Sequence, residues 1–105
     1  MSKQLDSILH QPIRTRLMAF LTARGEATFK ELKDLLKVTD GNLDAHVRKL
    51  TDAGFVISRK EQVCNKRVQT FYRLTAKGDK AFKGYVVALQ QILNLEVFDG
   101  DSKHK

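Results

Sequence analysis

Apolar side chains along this chain change their spacing near residue 54, from a helical period to the alternation of strands, and return to a helical period near residue 76. Ile13, Leu17, Phe20 and Leu21 recur at helical spacing behind Pro12, which suits a first helical turn because its missing N–H costs nothing there, and Gly25 stops the run. Thr28-Phe29-Lys30-Glu31 reads as a capping box, with the Thr28 hydroxyl accepting the Glu31 N–H and Glu31 reaching back. Phe29, Leu32, Leu35 and Leu36 form the stripe of this short second helix. Thr39 is an N-cap for a third helix, 39–53, with Asp40 suited to the positive helix end and Val38 placed to staple against Leu43. Leu43, Val47 and Leu50 give the third helix its buried side, and Gly54 ends it. Two short amphipathic helices joined by about three residues form a helix-turn-helix.

Beyond Gly54, the segments 55–58 and 68–74 are rich in β-branched and aromatic residues and predict two strands. The polar stretch from Arg59 to Arg67 predicts the basic tip of a β-hairpin. Thr75 caps a last helix from about Ala76 to Val97, whose stripe of Phe82, Tyr85, Val86, Leu89, Ile92 and Leu93 is wide for a closing helix. The expected organisation is one domain over 5–97 and a flexible tail over 98–105, frayed from Asp99. The fold class is mainly α with a small β-hairpin, a winged helix-turn-helix with a C-terminal helix for dimerisation.

Charge adds a partner class to this frame. Of 19 Lys/Arg and 12 Asp/Glu in 105 residues, ten of the cations and three of the anions fall between residues 46 and 83, which carry the whole net surplus of +7. Positive charge gathered on one third of the chain steers polyanions, although its sign alone does not separate DNA from RNA or an acidic membrane surface. The longest apolar runs, Leu17 to Leu21 and Tyr85 to Leu89, are too short to span a bilayer, and Met1-Ser2-Lys3-Gln4 lacks a signal-peptide core. A single cysteine excludes an intramolecular disulfide and fits a reducing compartment, so a cytoplasmic protein is expected.

The order helix, helix, helix, basic hairpin, helix resembles the ArsR/MarR-type winged-helix transcriptional regulators, especially their small single-domain members. Carrying the resemblance over roughly residues 5 to 95 are Leu5-Asp6 with His10-Gln11-Pro12-Ile13-Arg14, Phe29-Lys30-Glu31-Leu32, Thr39-Asp40-Gly41-Asn42-Leu43, His46-Val47, Leu50, Gly54-Phe55-Val56, Tyr72-Arg73-Leu74-Thr75 and Gly78. It implies a homodimer that binds operator DNA and usually represses transcription.

Turned at 100° per residue, the third helix presents Gly41, Ala45, Arg48 and Asp52 opposite its buried side, with Asn42 and Lys49 on one flank. Small Gly41 and Ala45 allow close approach to a major-groove floor, Asn42 suits adenine, and Arg48 or Lys49 can reach guanine or phosphate. Asp40 and Asp44 bring negative charge to the same surface. Asp40 serves the helix start, and Asp44 is set either to pair with Arg48 or to accept from cytosine N4, the ion pair being the simpler role. Relatives instead carry a small hydroxyl residue near Asp44. His46 resembles the family's histidine at this place and reads as a packing or hydrogen-bonding residue at the core edge, with a phosphate contact as its alternative. Arg59, Lys60, Lys66 and Arg67 are the wing candidates, while Thr28, Lys30 and Thr39 are candidates for backbone contacts at helix starts.

The wide stripe of the last helix, with Leu5, Ile8 and Leu9, exceeds what a small core needs and points to a second copy of the chain. The competing account is that these residues cover one another within the monomer. No spacing of glycines, serines or His/Cys residues carries catalysis, a cofactor or a local metal site, so neither an enzyme nor a cofactor is expected. Cys64 reads as incidental, with a redox switch in the wing as the sharper alternative. A winged helix can also serve as a protein-assembly module, but that use calls for large apolar residues on the outward face of the third helix, where Gly, Asn, Ala, Arg and Lys stand.

Overall fold

Caps at the start of each early helix set where the chain turns. The computed structural model describes residues 5–64 and 67–101. In α1 (Pro12–Arg24) the Gln11 side chain accepts the Arg14 N–H at 2.8 Å ahead of Pro12. In α2 (Phe29–Leu36) the box closes in both directions: the Glu31 N–H donates to the Thr28 hydroxyl at 3.1 Å, and the Thr28 N–H donates to the Glu31 carboxylate at 2.8 Å. Lys37 then adopts the left-handed conformation (φ 55°) and ends α2. Thr39 accepts the Asn42 N–H at 3.1 Å and starts α3 (Asp40–Asp52). Lys33 of α2 meets Asp40 of α3 at 2.8 Å, so the expected three-residue turn is braced from one helix to the next. Leu43 is fully buried, and the half-buried Val38 packs against the same core.

That core is one cluster. Leu17, Met18 and Leu21 of α1 meet Leu32 and Leu36 of α2, and Leu43, Val47 and Leu50 of α3. Each such leucine taken from water contributes roughly 1.5–3 kcal/mol, so the three helices hold one another at fixed angles. Among the described residues no helix is long and apolar enough to cross a membrane.

The hairpin differs from the sequence expectation. Its strands are β2 (Val56–Val63) and β3 (Arg67–Leu74), paired from Val56 opposite Leu74 to Val63 opposite Arg67. Arg59 and Lys60 therefore lie within a strand, opposite Phe71 and Thr70, and not in a polar tip. The outer half of the ribbon buries neither face, so its residues carry no apolar alternation to betray the strand. A further strand, β1 (Ala27–Thr28), pairs with β3 and makes the sheet order β1-β3-β2. Thr28 thus closes an edge strand and caps α2 at once, a role two residues long and invisible to periodicity.

Four elements meet where α3 hands over to the sheet. Gly54 takes φ 82°, a conformation open to glycine, and the Phe55 N–H returns to the Leu50 carbonyl at 2.9 Å. The Thr75 N–H donates to the Phe55 carbonyl at 3.0 Å, and its hydroxyl donates to the Gly54 carbonyl at 2.6 Å while accepting the Gly78 N–H at 2.8 Å. A Cβ at Gly78 would overlap the Phe55 carbonyl, so α4 (Ala76–Asp101) lies against this backbone only because residue 78 has no side chain.

Helix α4 continues four residues past the expected Val97, so residues 98–101 of the expected tail are helical, and 102–105 lie outside the described residues. Part of its stripe is already used within the chain. Leu9, Phe82 and Tyr85 are buried in the monomer core, which corrects their assignment to a dimer contact. Leu5, Ile8 and Leu89 are partly buried against that core, Ile92 is half-buried, and Val86 and Leu93 are exposed.

Replacing Gly78 with alanine is expected to cost about 3 kcal/mol or more, because rigid backbone must move. Gly84→Ala, at an exposed α4 position with nothing within 4 Å of an added methyl, is expected to gain about 0.5–1 kcal/mol from helix propensity alone. Urea midpoints at equal m-value check both, and like signs would contradict the packing described.

Candidate nucleic-acid interface

Burying Leu43, Val47 and Leu50 on one side of α3 leaves Gly41, Asn42, Ala45, Arg48 and Lys49 all exposed on the other. Nothing lies within 4 Å of a methyl added at Gly41, so that end of the helix is open to a close partner. The cations on this surface differ in freedom. Arg48 donates to Asp44 at 2.6 Å, one turn away, whereas Lys49 has no carboxylate within 4 Å among the described residues. The Asp44 charge helps hold the Tyr72 phenol of β3 above its ordinary pKa, after burial as the larger cause.

The opposite edge of α3 is tied to α1. His46 is half-buried, and its Nδ1 lies 3.1 Å from an Arg14 guanidinium nitrogen. Arginine has only donors, so His46 Nδ1 accepts and its proton sits on Nε2. Arg14 Nε also donates to the Ile8 carbonyl at 2.6 Å, which joins the N-terminal segment, α1 and α3 through one guanidinium. Burial first, and then the Arg14 charge, hold the His46 pKa below its ordinary value. His46 therefore has the core-edge role expected of it. Arg14 stands among the residues that carry the family resemblance, but its pairing with His46 has no local signal, because the two are 32 positions apart.

On the wing the expected cations divide between two faces. Strand alternation puts Lys60, with Thr70, on the face shared by Ser58 and Tyr72, and puts Arg59, Phe71, Val63 and Arg67 on the other. Arg59 is held from three sides: two hydrogen bonds to Glu26 at 2.7 and 3.3 Å, one to Glu61 at 3.1 Å, and the Phe71 ring with its centroid 4.7 Å away. Those carboxylates keep its guanidinium even more firmly charged than usual, and Arg59 in turn lowers the Glu26 pKa. It braces β2 against the start of β1 and is a strut before it is a free cation. Lys60 and Arg67 are exposed with no carboxylate within 4 Å among the described residues, and Lys66 lies outside those residues.

At the start of α2 the Thr28 hydroxyl is occupied by its cap, and Lys30 meets Asp34 at 3.3 Å. Both partners of that pair are well exposed, and such pairs are worth ~0–1 kcal/mol, so an arriving phosphate can replace the carboxylate. The Thr39 hydroxyl is likewise taken by the Asn42 N–H. Among the exposed apolar side chains that sequence reasoning did not single out is Val87, at 48% exposure next to Val86 at 42%. It stands inside the apolar run Tyr85 to Leu89 and was legible there.

A family model described as a winged helix DNA-binding domain matches residues 13–93. An uncharacterised protein of Methanocaldococcus jannaschii is 38% identical over 85 residues, covering 81% of this chain and 91% of that protein. The structure of a transcriptional regulator homologue from Pyrococcus horikoshii superposes with a TM-score of 0.78 at 32% identity, over 85% of this chain and 87% of that one. A mutant MarR from E. coli, solved in complex with operator DNA, superposes with a TM-score of 0.66 at 22% identity, over 81% of this chain and 59% of that one, a likeness of fold.

The neutral His46 acceptor makes stability depend on pH. With its folded pKa held below the ordinary 6.5, its contribution is complete above pH 6.5 and is lost as pH falls from there towards the depressed value. His46→Gln, whose amide oxygen can still accept from Arg14, is expected to flatten the fall in urea midpoint between pH 7 and pH 5. An unchanged slope would mean that His46 does not carry this dependence.

Proposed function

The chain belongs to the winged helix DNA-binding domain family and is related to transcriptional regulators of the ArsR/MarR type, and from that premise we propose that it is a cytoplasmic, homodimeric repressor reading a pseudo-palindromic operator. In this reading the domain spans 5–97, the helix 39–53 enters the major groove, and the 59–67 wing lies on the adjacent backbone or minor groove.

The observation that carries it is the outward face of α3, where small, amide, cationic and acidic side chains stand exposed with no large apolar residue among them. Asn42 suits bidentate pairing to adenine, Gly41 and Ala45 suit close approach, and Arg48 and Lys49 suit guanine or phosphate. His46 acts indirectly by holding α3 against Arg14. Lys60, Arg67 and Lys66 supply phosphate contacts, with Arg59 keeping the ribbon that bears them in place. Thr28, Lys30 and Thr39 mark helix starts whose backbone N–H groups and dipoles favour phosphate. The operator complex of the MarR relative supports this choice of ligand, since that protein has the same fold. A protein-docking winged helix would need an apolar patch on α3, so the DNA reading is preferred.

Dimerisation is supported by what α4 leaves uncovered. A compact chain of this length has a radius of gyration of about 13 Å, whereas this one has 16.6 Å and extends 61 Å along its longest axis. Val86 and Leu93, 42% and 50% exposed, stand on one side of α4 beside the half-buried Leu89 and Ile92. A second α4 laid across them, joined by the edges of Leu5 and Ile8, covers this apolar surface, and a two-fold dimer that reads successive turns of DNA needs its copies of α3 about 34 Å apart.

Selection of bound fragments from sheared genomic DNA at about 0.15 M salt tests the reading, and enrichment of a pseudo-palindrome with half-sites about one turn apart is expected. A folded protein that enriches no fragment overturns it. On the operator so found, Lys60→Ala and Arg67→Ala are each expected to weaken binding to every duplex and to lower the salt slope by about one. Asn42→Ala is expected to cost ~1–3 kcal/mol on the operator and little on unrelated DNA. Equal losses on all sequences would count against base reading.

A further inference from the structure

Resting on the DNA-reading assignment above, we propose that Asp44 and Arg48 form one specificity-determining unit on α3, in which the carboxylate aims the guanidinium at a guanine and rejects acceptor-edged bases beside it. Arg48 Nη2 donates to Asp44 Oδ2 at 2.6 Å, with the two side chains 70% and 57% exposed. One bond of this kind leaves most of the guanidinium's five donors for a ligand and biases the direction in which they point. Asp44 Oδ1 makes no hydrogen bond among the described residues and is open to a donor.

Placement on the helix selects the base edge over the backbone as the target. At 100° per residue, Arg48 lies next to Gly41 and Ala45 on the outward side, and Asp44 lies on the flank opposite Asn42 and Lys49. Two residues with little or no side chain there let the helix sit deep, so a side chain one turn along reaches base edges. A carboxylate in that position is repelled by phosphate and by the acceptors of guanine and thymine. It is accommodated only where cytosine N4 or adenine N6 offers a proton. The cost of a wrong base is then an unpaired, desolvated negative charge, a strong means of discrimination. Asn42 and Lys49, on the other flank, read a different part of the half-site.

Selection from a randomised duplex pool at about 0.15 M salt, with wild type, Asp44→Asn and Arg48→Lys compared, tests the unit. Both positions are exposed and conservatively changed, and circular dichroism confirms folding. Wild type is expected to select a guanine with cytosine or adenine beside it. Asp44→Asn, whose amide can also donate, is expected to admit guanine or thymine at that neighbouring position, with discrimination there falling roughly tenfold. Arg48→Lys keeps the charge and loses the fork, so the guanine preference is expected to fall while non-specific affinity stays. Identical motifs from wild type and Asp44→Asn, with affinity raised equally on every duplex, would reduce Asp44 to a screening charge and overturn the proposal. A wild type that selects no motif would remove the DNA-reading assignment itself.

Discussion

The close approach of α4 to the backbone at Gly54 and Phe55 is the constraint on which the arrangement of the other elements depends. The end of α3, the start of β2, the end of β3 and the start of α4 meet within a few residues, and Thr75 bonds to the carbonyls of Gly54 and Phe55 and to the N–H of Gly78. Buried backbone groups left without partners are costly, so these bonds leave the junction few alternatives. The absence of a side chain at Gly78 then lets α4 seat against Phe55. The angle between α3 and the wing, and the direction in which α4 leaves the core, are both set here. Any partner that bears on α4 therefore bears on a helix whose first turn is bonded to the end of α3.

Charge on the surface is less available than its net value implies. Several cations already have work within the chain: Arg14 joins Ile8 to His46, Arg59 braces Glu26 and Glu61, Lys33 spans the turn to Asp40, and Arg48 leans on Asp44. Exposed pairs of this sort add little stability, ~0–1 kcal/mol each, but they restrict where a guanidinium points. A cation held in one direction recognises shape, and a cation left free recognises charge. The chain has both kinds close together, with Arg48 fixed by its carboxylate and Lys49, Lys60 and Arg67 unpaired among the described residues.

The first half of the fold was legible because its signals are local. Pro12, the Thr28 and Glu31 box, Thr39 and Gly54 act over three or four residues, and each stands in the structure where the spacing put it. The outward face of α3 follows from the same periodicity, since once Leu43, Val47 and Leu50 are buried the exposed set is fixed by geometry. Stripes on α4 were legible as apolar but not as to what covers them, because Phe82 and Leu93 look alike in sequence while one is buried in the core cluster and the other is half exposed.

What the sequence determined by itself, then, was the order of elements, the helix starts, the turn between α2 and α3 and the concentration of charge after residue 46, all properties of short segments. Only the tertiary structure decided the length of the β2–β3 ladder, the extra strand at Ala27–Thr28, the division of Arg59 and Lys60 between opposite faces, and the bond from Arg14 to His46. Each of these depends on residues far apart in the chain coming together or on which face of a ribbon is covered, and no local pattern of side chains encodes either.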